Sequence, residues 1–344
     1  MTIARRPLQA ARPLALLVLA FAALGCGGGG GGSGAKVAPD GESAADSSSG
    51  EAPHDEGESG VGTAQDAELA GATGRSERFE GTDSIADFKG KLSEQSLNGV
   101  VRLDLAARGW GPELAKVLAS SKAVAKLAAL DISDNDLGSD GATALAKASH
   151  FGALRQLEIA GNDIGDGGVK ALSKAALLDN LKVLNLSGNS IGPAGAKALL
   201  SSGKLGNVAS LDLSMNPIGA QGASALAAAG DLAQLHSLFL LGSNIGKDGA
   251  KALAGSQVLK GVHVLALSGN AIGDDGAKAL AGSALLSSVT TLDLSANGIG
   301  DAGARALADS PHLGSIKSLE LFGNEIGASG KAALQKRFGA ALKL

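Results

Sequence analysis

The sequence predicts an α/β solenoid, with a parallel β-sheet on a concave face and short helices on a convex face. Three observations predict it. The first is a strict period of 27 residues: Asn recurs at 135, 162, 189, 216, 270, 297 and 324, and Ser243 fills the one gap. A period between 20 and 50 residues is the mark of a stacked repeat. The second is a pair of leucines two residues apart in each unit, as at Leu184 and Leu186, which places both on one face of a short strand. The third is the Gly/Ala-rich half of each unit, as in Gly195-Ala196-Lys197-Ala198-Leu199, which puts small side chains on the buried side of a helix. Strands stack about 4.8 Å apart and helices about 8–10 Å apart, so the array curves with its strands inside.

Written out, the unit reads L-x-x-L-x-L-x-x-N-x-I-G-x-x-G-A-x-A-L from about Val100 to Leu334. It resembles the leucine-rich repeat, in its ribonuclease-inhibitor-like subclass with a short repeat. The resemblance implies a horseshoe-shaped leucine-rich-repeat solenoid. It also implies that Asn135, Asn162, Asn189, Asn216, Asn270, Asn297 and Asn324 form a ladder, each bonding backbone groups of the neighbouring turn. A buried Asn side chain needs such partners. Ser243 can complete only part of that pattern, so its rung is expected to be the weak one. Gly192 and Gly195 are read as turn glycines.

The elements follow in order. Arg5, Arg6 and Arg12 precede an apolar run at 13–24, which ends in Ala23-Leu24-Gly25-Cys26 and a run of glycines. A basic start, a short apolar stretch and small residues describe a signal peptide over 1–25. The run falls short of the ~20 residues of a membrane span. The segment is similar to the lipobox of bacterial lipoproteins, which implies acylation of Cys26; Gly27 after it implies transport to an outer membrane. The alternative is a soluble secreted protein with a cysteine near its cleavage site. Cys26 is the sole cysteine of the chain, so no intramolecular disulfide forms.

Residues 26–78 read as the lipidated cysteine and a Gly/Ser/acidic tether that cannot bury enough surface to order itself. As a flexible coil it has an r.m.s. span of about 40 Å. Residues 79–98 change composition: Ile85, Phe88 and Leu92 have helical spacing, and Asp83 or Ser84 can start the helix. This is the cap that an open solenoid needs. Residues 99–330 hold about nine repeats. In the first, Arg108 takes the Asn place and Trp110 the Ile place, so Trp110 is expected as core filler. Residues 331–344 depart from the pattern and read as a last helix, with Leu334 and Phe338 over the open end.

Charge is uneven. Residues 27–98 carry 14 Asp and Glu against 5 Lys and Arg, whereas residues 99–344 carry 20 against 22. A near-neutral repeat region argues against a nucleic-acid-binding surface.

Two inward columns are predicted. One is Asp104, Asp131, Glu158, Asn185, Asp212, Phe239, Ala266, Asp293 and Glu320; the other includes Leu241 and Phe322 among small polar residues. Carboxylates about 5 Å apart suit a retaining glycosidase pair, and they also suit Ca²⁺. The plain alternative is a solvated carboxylate. No base, nucleophile or oxyanion group accompanies them, so no catalytic residue, metal site or cofactor is expected. Phe239, Leu241 and Phe322 on a polar face suggest contact with a protein or peptide, with Asp104, Asp131, Glu158, Asp293 and Glu320 around them. His236 and His263 share one repeat position and are read as surface residues near the strand start; His150 and His312 share another, at a helix C-terminus. The expectation is a non-enzymatic, lipid-anchored envelope protein that presents a binding solenoid, with an intracellular enzyme regulator or a purely structural envelope component as the other readings.

Overall fold

The structure is a computed structural model, and it describes residues 74–79, 83–93 and 97–344. The signal peptide, Cys26 and the tether up to residue 73 lie outside the described residues.

Among the described residues eleven parallel strands form one sheet in sequence order. They are β1 (Arg75–Arg78), β2 (Val100–Asp104), β3 (Ala129–Asp131), β4 (Gln156–Glu158), β5 (Val183–Asn185), β6 (Ser210–Asp212), β7 (Ser237–Phe239), β8 (Val264–Ala266), β9 (Thr291–Asp293), β10 (Ser318–Glu320) and β11 (Leu342–Lys343). From β2 to β10 each is followed by a helix that packs on the helices of the adjacent repeats. The register is the same from β2 to β10: Leu103, Leu130, Leu157, Leu184, Leu211, Leu238, Leu265, Leu292 and Leu319 are mutual neighbours, all buried. With Leu186, Leu213, Leu240 and their equivalents they form one continuous core between sheet and helices. Burial of each leucine contributes about 1.5–3 kcal/mol, so the leucine period sets the register.

The ladder runs through that core. Asn162 is fully buried; its Oδ1 accepts from the Asn135 N–H at 3.0 Å and the Leu137 N–H at 3.2 Å, and its Nδ2 donates to the carbonyls of Ile132, Ile159 and Ala160. Asn189, Asn216 and Asn270 repeat that pattern. Asn297 and Asn324 continue it to the last regular repeat, and Asn135 passes it back to the Trp110 N–H. Ser243 is also fully buried, but its hydroxyl reaches only the Leu213 and Leu241 carbonyls. At this rung the Ile218 N–H bonds the carbonyl of Asn216 instead of a side chain. Arg108 makes one bond of the Asn pattern, from Nε to the Ala106 carbonyl.

Three expectations need correction. The tether was expected to reach residue 78, yet Arg75–Arg78 form β1, which pairs with β2. The segment shows no apolar alternation, and pairing there satisfies backbone groups that β2 would otherwise leave open. The last helix was expected within 331–344, yet it spans Ala328–Phe338 and ends at Gly339, whose φ of +52° breaks it. Leu342–Lys343 then close the far edge of the sheet as β11. The turn role of Gly192 and Gly195 is also revised. Gly192 has φ −88°, which other residues adopt. A Cβ on Gly195 would stand 2.4 Å from Asp166 Oδ1, so this glycine permits close helix approach. The left-handed turn belongs to Gly188, at φ +62°.

The N-terminal cap is a helix at Ile85–Ser93. Ser84 Oγ accepts from the Asp87 N–H, and Asp87 Oδ2 accepts from the Ser84 N–H at 2.8 Å, a reciprocal cap that starts the helix. Buried Phe79 and Phe88 pack edge to face with ring centroids 5.1 Å apart, and Trp110 stacks on Phe88 at 5.7 Å. Trp110 is thus part of the end cover. At the other end Leu334 is fully buried and Phe338 packs partly against the core. Among the described residues no helix is long and apolar enough to cross a membrane.

Candidate binding face

Residues that share register along the sheet form columns on its open face. The central column reads Arg78, Asp104, Asp131, Glu158, Asn185, Asp212, Phe239, Ala266, Asp293, Glu320 and Lys343. A cation stands at each end. Arg78 Nε meets Asp104 Oδ2 at 3.1 Å, and Lys343 Nζ meets Glu320 Oε1 at 2.8 Å. Both end strands were outside the sequence reading of this face. So was the column two residues earlier, which runs from Arg102 through Ala129, Gln156 and Val183 to Ser318.

The carboxylates have local work. Asp131 Oδ1 accepts from the Ser133 N–H at 2.9 Å, Asp212 Oδ1 from the Ser214 N–H at 2.8 Å and Asp293 Oδ1 from the Ser295 N–H at 2.9 Å. Asp104 does the same for Ala106, and Asn185 does it for Ser187 without a charge. These side chains hold the backbone as it leaves each strand. Glu158 Oε1 accepts from Gln156 Nε2 instead. Burial on the sheet pushes the Asp131, Glu158 and Asp212 carboxyls above their ordinary values. Around Asp104, Asp131 and Glu158 the face has an open depression of ≈ 330 Å³, lined also by Arg78, Arg102 and Gln156. In this depression Asp104 and Asp131 each hold a backbone N–H two residues on, and Glu158 holds the Gln156 amide.

The apolar break lies further along. Phe239 and Leu241 are half-buried on β7 and the turn after it. Met215 joins them: it is 42% exposed, and its Sδ would lie 2.8 Å from a Cβ on Gly242. Its backbone is left-handed, at φ +56°, and its N–H bonds the Leu241 carbonyl. Met215 was missed in sequence because it stands where most repeats carry Gly, outside the two columns. The signal was present as a large side chain at that place. Phe322 is 46% exposed but three rungs from Leu241, so it is not part of the same cluster. Ser268, beside Leu241 in register, is 5% exposed, and among the described residues its Oγ has no hydrogen-bond partner.

The histidines are resolved too. His236 and His263 are exposed and stacked. His150 Nε2 lies 3.0 Å from the carbonyl of Leu118, in the last turn of the preceding repeat's helix.

Comparison with known proteins bears on the fold. No curated protein matches the chain. The solved structure titled "Crystal structure of Rad7 and Elc1 complex in yeast" is 15% identical, covering 73% of this chain and 74% of that one with a TM-score of 0.44, a likeness that carries no argument. The sequence profile of the Leucine Rich repeat family matches residues 125–146, 154–173, 179–200, 207–227, 262–281 and 286–308. The repeat that holds Phe239, Leu241 and Ser243 falls between the fourth and fifth matches. With six matched repeats, one ladder and, among the described residues, eleven parallel strands alternating with helices, the chain carries leucine-rich repeats and folds as a leucine-rich-repeat solenoid.

Proposed function

We propose that the chain is a non-enzymatic scaffold whose concave sheet binds a protein or peptide, held at a bacterial outer membrane by a lipid on Cys26. The observation that supports binding is the apolar break at Phe239, Leu241 and Met215. It interrupts a stretch of the face in which the central column before it runs through Asp104, Asp131, Glu158, Asn185 and Asp212. Apolar groups gathered on a polar face are the usual centre of a protein interface. The non-enzymatic reading is supported by Asp104, Asp131, Asp212 and Asp293, whose carboxylates are engaged with backbone N–H groups. The anchor rests on the sequence, in which the sole thiol closes a short apolar run.

A photo-crosslinking residue in place of Phe239, with one in place of Lys278 on the helix side as control, tests the binding face in the native host. The expected result is a discrete adduct from position 239 alone, lost on Leu241→Asp with an unchanged melting temperature. Equal labelling from both positions sinks the concave-face reading. Alkyne-palmitate labelling of wild type but not of Cys26→Ala tests the anchor. No label, with the protein in the cytosol, favours the intracellular regulator.

A further inference from the structure

We propose that His236 and His263 form a site for one divalent late-transition-metal ion, Cu²⁺ or Ni²⁺. The two residues are 27 positions apart and precede β7 and β8. Their backbones are joined, since the His263 and Val264 N–H groups both bond the His236 carbonyl, at 2.8 and 3.1 Å. The rings lie nearly parallel, 10° apart in plane, with centroids separated by 5.5 Å.

The hydrogen bonds define which nitrogen is offered. His236 Nδ1 meets the Gln234 carbonyl, and His263 Nδ1 meets the Gly261 carbonyl at 2.9 Å. A carbonyl oxygen can only accept, so each Nδ1 carries the proton and each neutral ring keeps its lone pair on Nε2. Metal-bound imidazoles are held in this way, with the second ring nitrogen donating to a backbone carbonyl. Both rings therefore hold the ligating tautomer before an ion arrives. A metal–nitrogen bond of about 2.0–2.1 Å needs the two Nε2 atoms closer together than the present ring spacing. Both side chains are exposed, so the rings can turn toward each other about their Nδ1 hydrogen bonds without displacing core residues.

The same geometry limits the metal. Among the described residues no group of three or more His, Cys, Asp or Glu is placed to hold an ion. The neighbouring rungs at this position carry Ala209 and Thr290, and the Thr290 hydroxyl is bonded to the His263 carbonyl. Here the described residues supply two imidazoles, fewer than the four ligands of a closed tetrahedral zinc site. Two imidazoles with water in the remaining positions suit Cu²⁺ and Ni²⁺, and affinity should rise from Ni²⁺ to Cu²⁺. A bound ion would clip two successive repeats together beside the rung of Phe239.

The test uses the full chain, stripped with chelator, in a His54→Gln background that removes the imidazole of the acidic N-terminal segment. Calorimetric titration with Ni²⁺ should show one ion per chain, and the Cu²⁺ spectrum by electron paramagnetic resonance should show two nitrogen donors. His236→Gln and His263→Gln should each weaken binding about tenfold or more, because a second ring makes the second bond intramolecular. Thr290→His adds a ring on the next rung and should tighten binding. Equal affinity of wild type and His263→Gln, or a one-nitrogen spectrum for wild type, overturns the proposal; both variants are at exposed positions, so circular dichroism will show them folded.

Discussion

Ser243→Asn should stabilise the solenoid, although it enlarges a fully buried side chain. In a complete rung, Asn189 Oδ1 accepts from the Asn162 and Ile164 N–H groups, and Nδ2 donates to the Ile159, Leu186 and Ser187 carbonyls. At Ser243 one hydroxyl hydrogen is shared between two carbonyls at 3.2 and 3.4 Å, and both acceptor bonds are lost. Asn restores an acceptor for the Asn216 N–H and one or two donor bonds, while the Ile218 N–H exchanges its present bond to the Asn216 carbonyl for one to the side chain. Each buried bond contributes about 0.5–1.5 kcal/mol, and part is offset by repacking, so the gain is about 2 kcal/mol. For a domain of this size that is about 4–8 °C in melting temperature. Thermal and guanidinium unfolding, followed by circular dichroism, measure it, and amide exchange at Asn216 and Ile218 localises it. Asn189→Ser should cost a similar amount. If Ser243→Asn leaves stability unchanged or lowers it while Asn189→Ser destabilises, the rung at 243 is not short of hydrogen bonds and the reasoning fails.

Three further outcomes follow from packing and charge. Asp212→Asn should stabilise at neutral pH, because the amide can cap Ser214 as Asn185 caps Ser187 while burial no longer opposes a charge. The sign is that of a raised carboxyl: its stability is present below the ordinary value of 3.8 and lost as pH rises through the folded value, so the advantage of Asn should vanish in acid denaturant titrations. Ser268→Ala removes a buried hydroxyl without a partner and should be neutral or stabilising by up to about 1 kcal/mol, read from the denaturation midpoint. Gly168→Ala should destabilise, since the new Cβ would stand 2.2 Å from Ile164 Cγ2 and 2.8 Å from Ala142 Cβ. Overpacking costs about 1–3 kcal/mol and outweighs the ~1 kcal/mol by which Ala favours a helix; a rise in melting temperature would contradict it.

How much of the binding face was legible depends on how local its cause is. Phe239 and Leu241 stood out because a strand turns alternate residues to one side, and a short period repeats that side unchanged. The backbone bonds of Asp104 and Asp131 were not legible as such, since a carboxylate followed two residues later by a free N–H reads the same whether it bonds that group or water. Met215 escaped because its exposure depends on a left-handed backbone and on Gly242 beneath it in the next repeat.

The 27-residue spacing of Leu184, Asn189, Ile191 and Leu199 by itself determined the parallel sheet, its register and the buried ladder. Identical units can bury identical leucines and pair each buried Asn only by stacking in step, so the local pattern already contains the global one. Tertiary structure alone decided the two end strands and the side-chain geometry between repeats. Arg75–Arg78 and Leu342–Lys343 carry no strand pattern; they become strands because β2 and β10 would otherwise present open backbone edges, and there they place Arg78 on Asp104 and Lys343 on Glu320. The spacing of His236 and His263 was visible in the sequence, but the stacking of their rings and the carbonyls that hold each Nδ1 proton arise only when two turns are brought one strand apart.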